Sequence, residues 1–492
     1  MFLNHLFRSA KRRPTGTPRP RLTVESLNDR VVPSTFTVGN LSDNGPGSLR
    51  QAVVDANANP GADLIRFAPA ARDGTITLAS GQLGITDDLT IDGPGADRLA
   101  VSGNDASRVF LIASGVAVGI EGLTVTRGRA IGQGGGILNA GTLTVSHAVL
   151  SDNLVVGAPG PSLATVVDAF GGGIFNRGSL TVSHTRFVHN QAVGGDGTAS
   201  SIGSSGLGGA IMSGGTAAAP ASATVSHSEF RDNRAVGGAA GIGASRAGVG
   251  GAVNNTAGSF TASHSEFHDN QAIGGIDNGV PGGFGAGIGG AFSNVARSGS
   301  AFLSVSHCTL TNNRAVGGAA GGGPTGQNGR GGAIANYIFG GAAPPVTLTA
   351  TAHIDHSTIL GNQAIGGTGP AGGNGLGGGI ANENGGVLTV SDSLVARNRA
   401  VGGVGGATGG AGEGGGIFNG GLSPVGVPTL ALHGTLVTLN RAEGGSGNVG
   451  AGVGQGGGLY LAPGGLAAAD SRTRIFANDA STSDDDVFGS LI

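Results

Sequence analysis

The sequence is poor in several residue types on which many protein classes depend. One of its 492 residues is cysteine, none is tryptophan, and charged residues make up 12%. The single cysteine, Cys308, excludes an internal disulfide and any site that needs two thiolates, and we interpret it as a small buried hydrophobe. No stretch reaches the roughly 18 apolar residues that a membrane-spanning helix requires, so we predict no transmembrane helix.

Positive charge is also scarce. The net charge is −3 and the arginines beyond residue 30 do not cluster, which argues against a nucleic-acid partner and against a polybasic membrane surface. Lys11 is the only lysine, so no glycine-rich loop has the lysine of a Walker A motif. We therefore predict no nucleic-acid partner and no cofactor.

Glycine is abundant, with 102 residues, about three times its usual frequency. Glycine disfavours helix by about 1 kcal/mol per position, which excludes a helical bundle. The glycines do not follow a strict three-residue period, which excludes collagen. The stretches between the repeats described next, such as residues 235–248, are glycine-rich and vary in length, so we expect them to be mobile or loosely stacked.

One unit recurs nine times with a mean period of about 41 residues, inside the range of solenoids and propellers. It opens with two glycines, a glycine or alanine, and an apolar residue, at residues 134–137, 171–174, 208–211, 250–253, 289–292, 331–334, 377–380, 414–417 and 456–459. It closes with an asparagine in every copy: Asn153, Asn190, Asn233, Asn270, Asn313, Asn362, Asn398, Asn440 and Asn478. We predict that these asparagines form a structural ladder of stacked side-chain amides.

Apolar residues within a unit predict the path of the chain. Val225 and Phe230 are five residues apart, and the same spacing recurs in the other units. Because a straight strand alternates its faces, an odd separation requires a corner if both residues point inward. Each unit therefore has two strands joined by a corner, and a third strand precedes them after the glycines. Three short strands per repeated unit predict an all-β right-handed parallel β-helix. A propeller blade would need four antiparallel strands.

The ends of the chain differ from the repeats. Residues 1–34 are basic and predicted to be disordered, and residues 35–130 to form an N-terminal cap and irregular first rungs. The nine repeats occupy residues 131–480, and residues 481–492 form an acidic tail. Ser48 and Gln51 match a capping box, followed by an apolar helical face of Leu49, Ala52, Val53 and Ala56. We expect this short helix to cover the open end of the first rung.

Three segments resemble known surface proteins. Residues 22–34, with Glu25, Leu27, Arg30, Pro33 and Ser34, look like the leader motif of large planctomycete surface proteins. Residues 47–52 resemble the C-S-L-R-E-A element that opens such β-helices, with Gly47 for its cysteine and Gln51 for its glutamate. The repeats resemble those of chlamydial polymorphic outer-membrane proteins. The resemblance implies a β-helix, export to the cell surface or outer membrane, and adhesion.

Histidines occupy the corner in six units: His147, His184, His227, His264, His307 and His356. Two imidazoles on adjacent rungs are candidate ligands for zinc or nickel. We favour a corner ladder without metal, because a structural metal site needs three or four converging ligands and a ladder offers a line.

The densest group of charged residues is a candidate catalytic site. Glu229, Arg231 and Asp232 lie in one unit, and Glu266 and Asp269 lie at equivalent positions of the next. β-helix enzymes such as pectate lyases and polygalacturonases use aspartates with calcium and a basic residue on adjacent rungs, which these residues resemble. Equivalent positions elsewhere hold unrelated residues, and aromatic residues for stacking sugars are few. We interpret the group as a product of repeat duplication.

The sequence therefore predicts a non-enzymatic, exported surface or extracellular-matrix protein that acts as a scaffold or in adhesion. Polysaccharides or cell-surface components are its expected partners. The alternative is a carbohydrate-active enzyme, a polysaccharide lyase or glycoside hydrolase, built on the β-helix.

Overall fold

The computed structural model describes residues 33–241, 246–277, 285–340, 348–421 and 426–492. Residues 33–492 form one compact unit. Most of the predicted leader, including Glu25, Leu27 and Arg30, lies outside the described residues.

The fold is a parallel β-helix, as predicted. Each repeat adds one short strand to each of several sheets, and equivalent strands of successive units pair in parallel and in register. We number the sheets 1 to 5 by the order in which the chain of one unit passes through them. Sheets 1, 2 and 3 surround the main apolar core, and sheets 4 and 5 bury a separate, smaller apolar cluster of Val155, Ala169 and Ala192.

The strands of the three core sheets are as follows. Sheet 1 contains Leu83–Ile85, Phe110–Ile112, Ile137–Asn139, Ile174–Asn176, Ile211–Gly214, Val253–Thr256, Phe292–Ala296, Ile334–Ile338, Ile380–Glu383, Ile417–Gly420, Leu459–Leu461 and Val487–Phe488. Sheet 2 contains Thr35–Val38, Asp63–Phe67, Leu89–Asp92, Ala117–Glu121, Thr142–Ser146, Ser179–Ser183, Ala221–Ser226, Gly258–Ser263, Ala301–Ser306, Ala350–Asp355, Val387–Ser391, Thr429–His433 and Leu466–Ala469. Sheet 3 contains Gly74–Thr77, Leu99–Ser102, Thr124–Thr126, Val149–Ser151, Arg186–Val188, Glu229–Arg231, Glu266–His268, Thr309–Thr311, Thr358–Leu360, Leu394–Ala396, Leu436–Thr438 and Arg474–Phe476.

Two further sheets were not predicted from the sequence. Sheet 4 contains Arg129–Ile131, Leu154–Val156, Gln191–Val193, Arg234–Val236, Gln271–Ile273, Arg314–Val316, Gln363–Ile365, Arg399–Val401, Arg441–Glu443 and Asp479–Ala480. Sheet 5 contains Ala169–Phe170, Gly206–Leu207, Gly248–Val249, Gly287–Ile288, Gly329–Arg330, Gly375–Leu376, Gly412–Glu413 and Gly454–Gln455. Gly369–Ala371 and Gly405–Thr408 form a separate pair. The strands of sheets 4 and 5 and of this pair are two to four residues long, too short for a clear alternation of apolar and polar residues.

The predicted N-terminal helix is present as α1, Leu49–Ala58, and Pro69–Ala71 adds a short 3₁₀ turn. The hydroxyl of Ser48 accepts a hydrogen bond from the backbone N–H of Gln51, as in a capping box. The four apolar residues of the predicted face are its buried ones, and they join the core at the first rungs. The helix therefore covers apolar surface at the N-terminal end of the coil.

The corner between sheets 2 and 3 has the geometry that the spacing of five predicts. Val225 and Phe230 are both fully buried, and between them His227 has a φ of 48°. This left-handed residue turns the chain, so that both flanking side chains point into the core. Aromatic residues then stack along the core, with ring centroids of Phe187 and Phe230 4.5 Å apart and those of Phe230 and Phe267 4.6 Å apart.

Buried asparagines connect the rungs at the other corners. In the closing column, the Nδ2 of Asn270 donates to the Oδ1 of Asn313 and to the carbonyl of Phe230, each at 2.9 Å. Its Oδ1 accepts from the backbone N–H of Asn233 at 3.1 Å and from the Nδ2 of Asn233 at 3.0 Å. The bonds continue from Asn153 to Asn478, so the buried amides are paired with their copies.

The glycine motif that opens each unit follows from close backbone packing. The first glycine is left-handed in every copy, with a φ of 68° at Gly208. At the second, Gly209, a Cβ would lie 2.1 Å from the carbonyl oxygen of Gly251 on the next rung. The third position is less restricted and holds alanine at Ala210 and Ala252. The motif therefore has glycine where the backbone is left-handed or where a side chain has no room.

The glycine-rich connections are more ordered than expected where they are described. The backbone N–H of Gly403 donates to the carbonyl of Gly373 at 2.8 Å, and that of Gly410 donates to Gly403 at 2.9 Å. A Cβ on Gly402 would lie 1.8 Å from the carbonyl oxygen of Gly410. We predicted loose stacking because these segments have few side chains. The lack of side chains instead lets the backbones approach and hydrogen-bond directly.

Candidate functional site

The outer surface of sheet 2 and its corner present two hydroxyl side chains and a histidine on five successive rungs. We call this surface the ladder face: Thr144, Ser146 and His147; Thr181, Ser183 and His184; Thr224, Ser226 and His227; Thr261, Ser263 and His264; and Ser304, Ser306 and His307. The strands pair in exact register, so hydroxyls align with hydroxyls from rung to rung. These side chains are exposed or half-buried, and none of the five triplets contains lysine, arginine, aspartate or glutamate.

The histidines of the ladder face are stacked in parallel. Ring centroids of neighbours lie 4.9–5.1 Å apart, with interplanar angles of 4–8°, from His147 through His356. The rings lie in a line on the surface and do not converge on a common point. This arrangement favours the stacked ladder over a metal site shared by the imidazoles.

The fold does not require histidine at this corner. Gly122 occupies the equivalent position one rung before His147, with a φ of 59°, and Gly434 occupies it near the C-terminus, with a φ of 55°. Left-handed backbone is unfavourable for residues other than glycine by about 1–2 kcal/mol. The chain thus carries six exposed imidazoles where glycine meets the backbone requirement at lower cost, which points to a role at the surface.

A shallow groove of about 410 Å³ adjoins the first rung of the ladder face. Its lining includes Thr90, Gly119, Glu121, Thr144 and Ser146. Gly119 has no side chain to fill the outer surface of sheet 2, so the face is lower there. The groove therefore continues the line of the ladder face toward the N-terminus.

The charged residues singled out in the sequence lie together on sheet 3 and the corner after it. The guanidinium of Arg231 lies 3.7 Å from Glu229 and 3.6 Å from Asp232. His268, which the sequence analysis did not include, places Nε2 3.0 Å from Glu229 and Nδ1 3.1 Å from Asp269. We call Glu229, Arg231, Asp232, His268 and Asp269 the acid–histidine cluster.

Glu266 pairs with Glu229 in register, and the structure gives its carboxylate no ion pair among the described residues. A second histidine, His189, links Asp152 and Asp232, with 3.6 Å to each carboxylate. The signal for His268 was its position one rung from Glu229, two residues along the repeat. The signal for His189 was its position in the same repeat column as Asp152 and Asp232, one rung from each. Apart from Glu266, each carboxylate of this group thus lies beside an arginine or a histidine.

Sequence reasoning also missed a buried charged pair on the side of the coil between sheets 1 and 5. Nη1 of Arg330 lies 3.1 Å from Oε2 of Glu383, whose side chain is 4% exposed. Burial raises the pKa of Glu383 against the opposing effect of Arg330, and burial together with Glu383 raises the pKa of Glu413. The partners sit about 50 residues apart in the chain, on different sheets, so no local motif marks them.

Cys308 is buried and its Sγ lies 3.2 Å from the carbonyl of Ser306. Burial raises the pKa of its thiol to about 11. Its thiolate is therefore scarce at neutral pH, which fits a packing residue better than a nucleophile. None of the helices in the described ranges has the length and apolarity needed to span a bilayer.

Comparisons with known proteins give no family for this chain. No family model matches it, and no curated protein matches it. Among solved structures, the catalytic domain of a GH87 alpha-1,3-glucanase in complex with nigerose is similar over 89% of this chain and 69% of its own, with 10% identity and a TM-score of 0.31. At this level of similarity the glucanase does not bear on the function of the present chain.

Proposed function

We propose that this protein is a non-enzymatic, exported scaffold of the cell surface or extracellular matrix, and that its ladder face binds an extended polysaccharide. The observation that carries the proposal is the repetition of hydroxyl, hydroxyl and imidazole on five consecutive rungs. Resemblance of the leader motif and repeats to bacterial surface proteins supports export and adhesion.

The geometry favours a linear partner over a small molecule. Rungs of a parallel β-helix are about 4.8 Å apart, comparable with the advance of one sugar in an extended β-linked glycan. Each rung offers hydroxyl and imidazole groups and no arginine, lysine or carboxylate, which suits hydroxyl groups better than phosphates or carboxylates. The stacked sheets hold these groups in place, so little conformational entropy is lost on binding.

The direct test uses isosteric removal of hydroxyls. The full-length chain is incubated with insoluble and soluble neutral polysaccharides, and the bound fraction is measured for wild type and for Thr181→Val/Thr224→Val/Thr261→Val. We expect the triple variant to lose most of the binding while valine keeps the strand. The matched control, Thr309→Val/Thr358→Val/Thr438→Val, alters outward threonines of sheet 3 and should bind like wild type. Equal loss in both variants, or no binding by wild type, contradicts the proposal.

The acid–histidine cluster supports a second candidate function, a carbohydrate-active enzyme. Glu229 and Asp269 flank His268, and an imidazole held by two carboxylates is suited to proton transfer. The sequence analysis named Glu229, Asp232, Glu266 and Asp269 as candidate calcium ligands. In the described residues, no three of these carboxylates converge within 4.8 Å of one another. Release of new chain ends from a polysaccharide, with or without calcium, that disappears in Glu229→Gln/Asp269→Asn would establish this function and overturn the non-enzymatic one.

A further inference from the structure

The histidine ladder ends where two repeat columns change residue type together. The residue directly before each ladder histidine is serine on five successive rungs: Ser146, Ser183, Ser226, Ser263 and Ser306. On the next rung the equivalent residue is Asp355. The histidine column continues to His356, and one rung later Asp392 takes its place. Two aspartates thus enter adjacent columns beside the last stacked histidine.

These changes turn a line of ligands into a converging set. One ligand atom from each of Asp355, His356 and Asp392 lies within 4.8 Å of the other two. Oδ2 of Asp355 is 2.8 Å from Nδ1 of His356. Along the rest of the ladder, the parallel rings are 4.9–5.1 Å apart, and the described residues contain no other converging group of three such ligand atoms.

Two carboxylates and one imidazole form a donor set that suits borderline divalent ions such as Zn²⁺, Co²⁺ and Ni²⁺. All three side chains reach the surface, so water can complete the coordination. Asp392 already attracts a cation: Nη1 of Arg472 lies 3.3 Å from its Oδ1, and Nη2 of Arg472 lies 3.3 Å from Asp470. Arg472 is 64% exposed, so it can leave Asp392 without losing buried contacts.

We propose that Asp355, His356 and Asp392 bind one divalent transition-metal ion of the zinc type at the end of the histidine ladder. The proposal does not depend on polysaccharide binding. It also differs from a metal shared along the ladder, because it places the ion where the histidines stop and the carboxylates begin.

The repeat itself supplies the test variant. Asp355→Ser/Asp392→His gives both columns the residues that they have on the earlier rungs, and it adds a seventh imidazole. The full-length chain, freed of metal with a chelator, is titrated with Zn²⁺ by calorimetry and with Co²⁺ by visible absorption. Wild type should bind one equivalent, and the double variant should bind at least tenfold more weakly. Thermal unfolding without metal checks that the variant is folded.

Glu121→Gln is the matched control, because Glu121 is the carboxylate beside the first histidine of the ladder, 3.4 Å from Nδ1 of His147. It should bind zinc like wild type, and Arg472→Gln should bind at least as tightly, since the competing cation is gone. Zinc binding that is unchanged or stronger in Asp355→Ser/Asp392→His would locate the metal on the imidazoles and overturn the proposal. So would the absence of saturable binding to wild type.

Discussion

The irregular rungs before residue 131 and the regular rungs after it stack into the same sheets but are held by different side chains. On the earlier rungs, arginine and aspartate pair across the surface, as in Arg66–Asp92, Arg98–Asp73 and Arg127–Asp105. Arg50 of α1 pairs with the largely buried Asp43. On the later rungs, buried asparagines bond to their own copies. Gly128 lies one rung before Asn153, at the equivalent position. The closing asparagine column therefore begins at Asn153.

This difference separates what a rung requires from what the repeat adds. Both regions bury apolar residues inward at the same register, as Ile120 and Val145 do. In its described residues, 33–130, the earlier region forms rungs without asparagine ladders, stacked histidines or the triplets of the ladder face. The asparagine ladder is therefore one solution for the buried corner, while the ladder face is a surface property that the coil does not need.

The largest expected effect is on the asparagine ladder. Asn270→Leu should lower the free energy of unfolding of the surrounding rungs by about 4 kcal/mol, because it leaves at least two buried backbone or amide groups unpaired at about 1–3 kcal/mol each. Denaturation followed by hydrogen exchange at residues 225–275 measures the loss. The control on the earlier rungs, Asn44→Leu, changes an exposed amide and should stay within about 0.5 kcal/mol. Similar losses in both would contradict the distinction.

The stacked glycine-rich connections should be disrupted locally by a single added methyl group. Gly402→Ala places a Cβ 1.8 Å from the carbonyl oxygen of Gly410, so the two connections have to separate. We expect a loss of about 2 kcal/mol, typical of overpacking, confined to this layer. Gly406→Ala is the matched control, since its Cβ would be no closer than 3.7 Å to another atom. Faster hydrogen exchange at residues 402–412 in the first variant alone is the expected result.

Acid should weaken the earlier rungs through Asp43. Burial raises the pKa of Asp43, but hydrogen bonds from Arg50, Ser80 and Ala79 outweigh it and hold the pKa below its usual range. A lowered carboxyl pKa stabilises the fold above the unfolded pKa of about 3.9, and this stabilisation is lost as pH falls through the folded value.

Asp43→Asn should therefore remove part of the acid sensitivity of the earlier rungs, at a cost of about 1–2 kcal/mol at pH 7 from its charge-assisted hydrogen bonds. Unfolding of the region around residues 43–80, followed between pH 3 and 7 by hydrogen exchange, measures both effects. A pH profile of the variant identical to that of wild type would show that Asp43 does not carry the dependence.

The smallest expected effect on stability is at the ladder face. His227→Gly removes one ring from the stack, and glycine suits the φ of 48° at this corner. We expect the free energy of unfolding to change by less than about 1 kcal/mol, since lost stacking is offset by relief of the left-handed backbone. Polysaccharide binding should fall all the same. A large loss of stability would show that the imidazoles are part of the structural framework after all.

The sequence by itself determined the parallel coil, the inward positions and the face of the capping helix, because each depends on spacing within one unit. Val225 and Phe230 define their corner through five residues of chain, and Ser48 caps its helix through three. The tertiary structure decided which residues of different units come into contact. Glu229 and His268 are 39 residues apart, and Arg330 and Glu383 are 53 apart. Such contacts depend on the stacking of whole rungs across connections of unequal length, which no local pattern encodes.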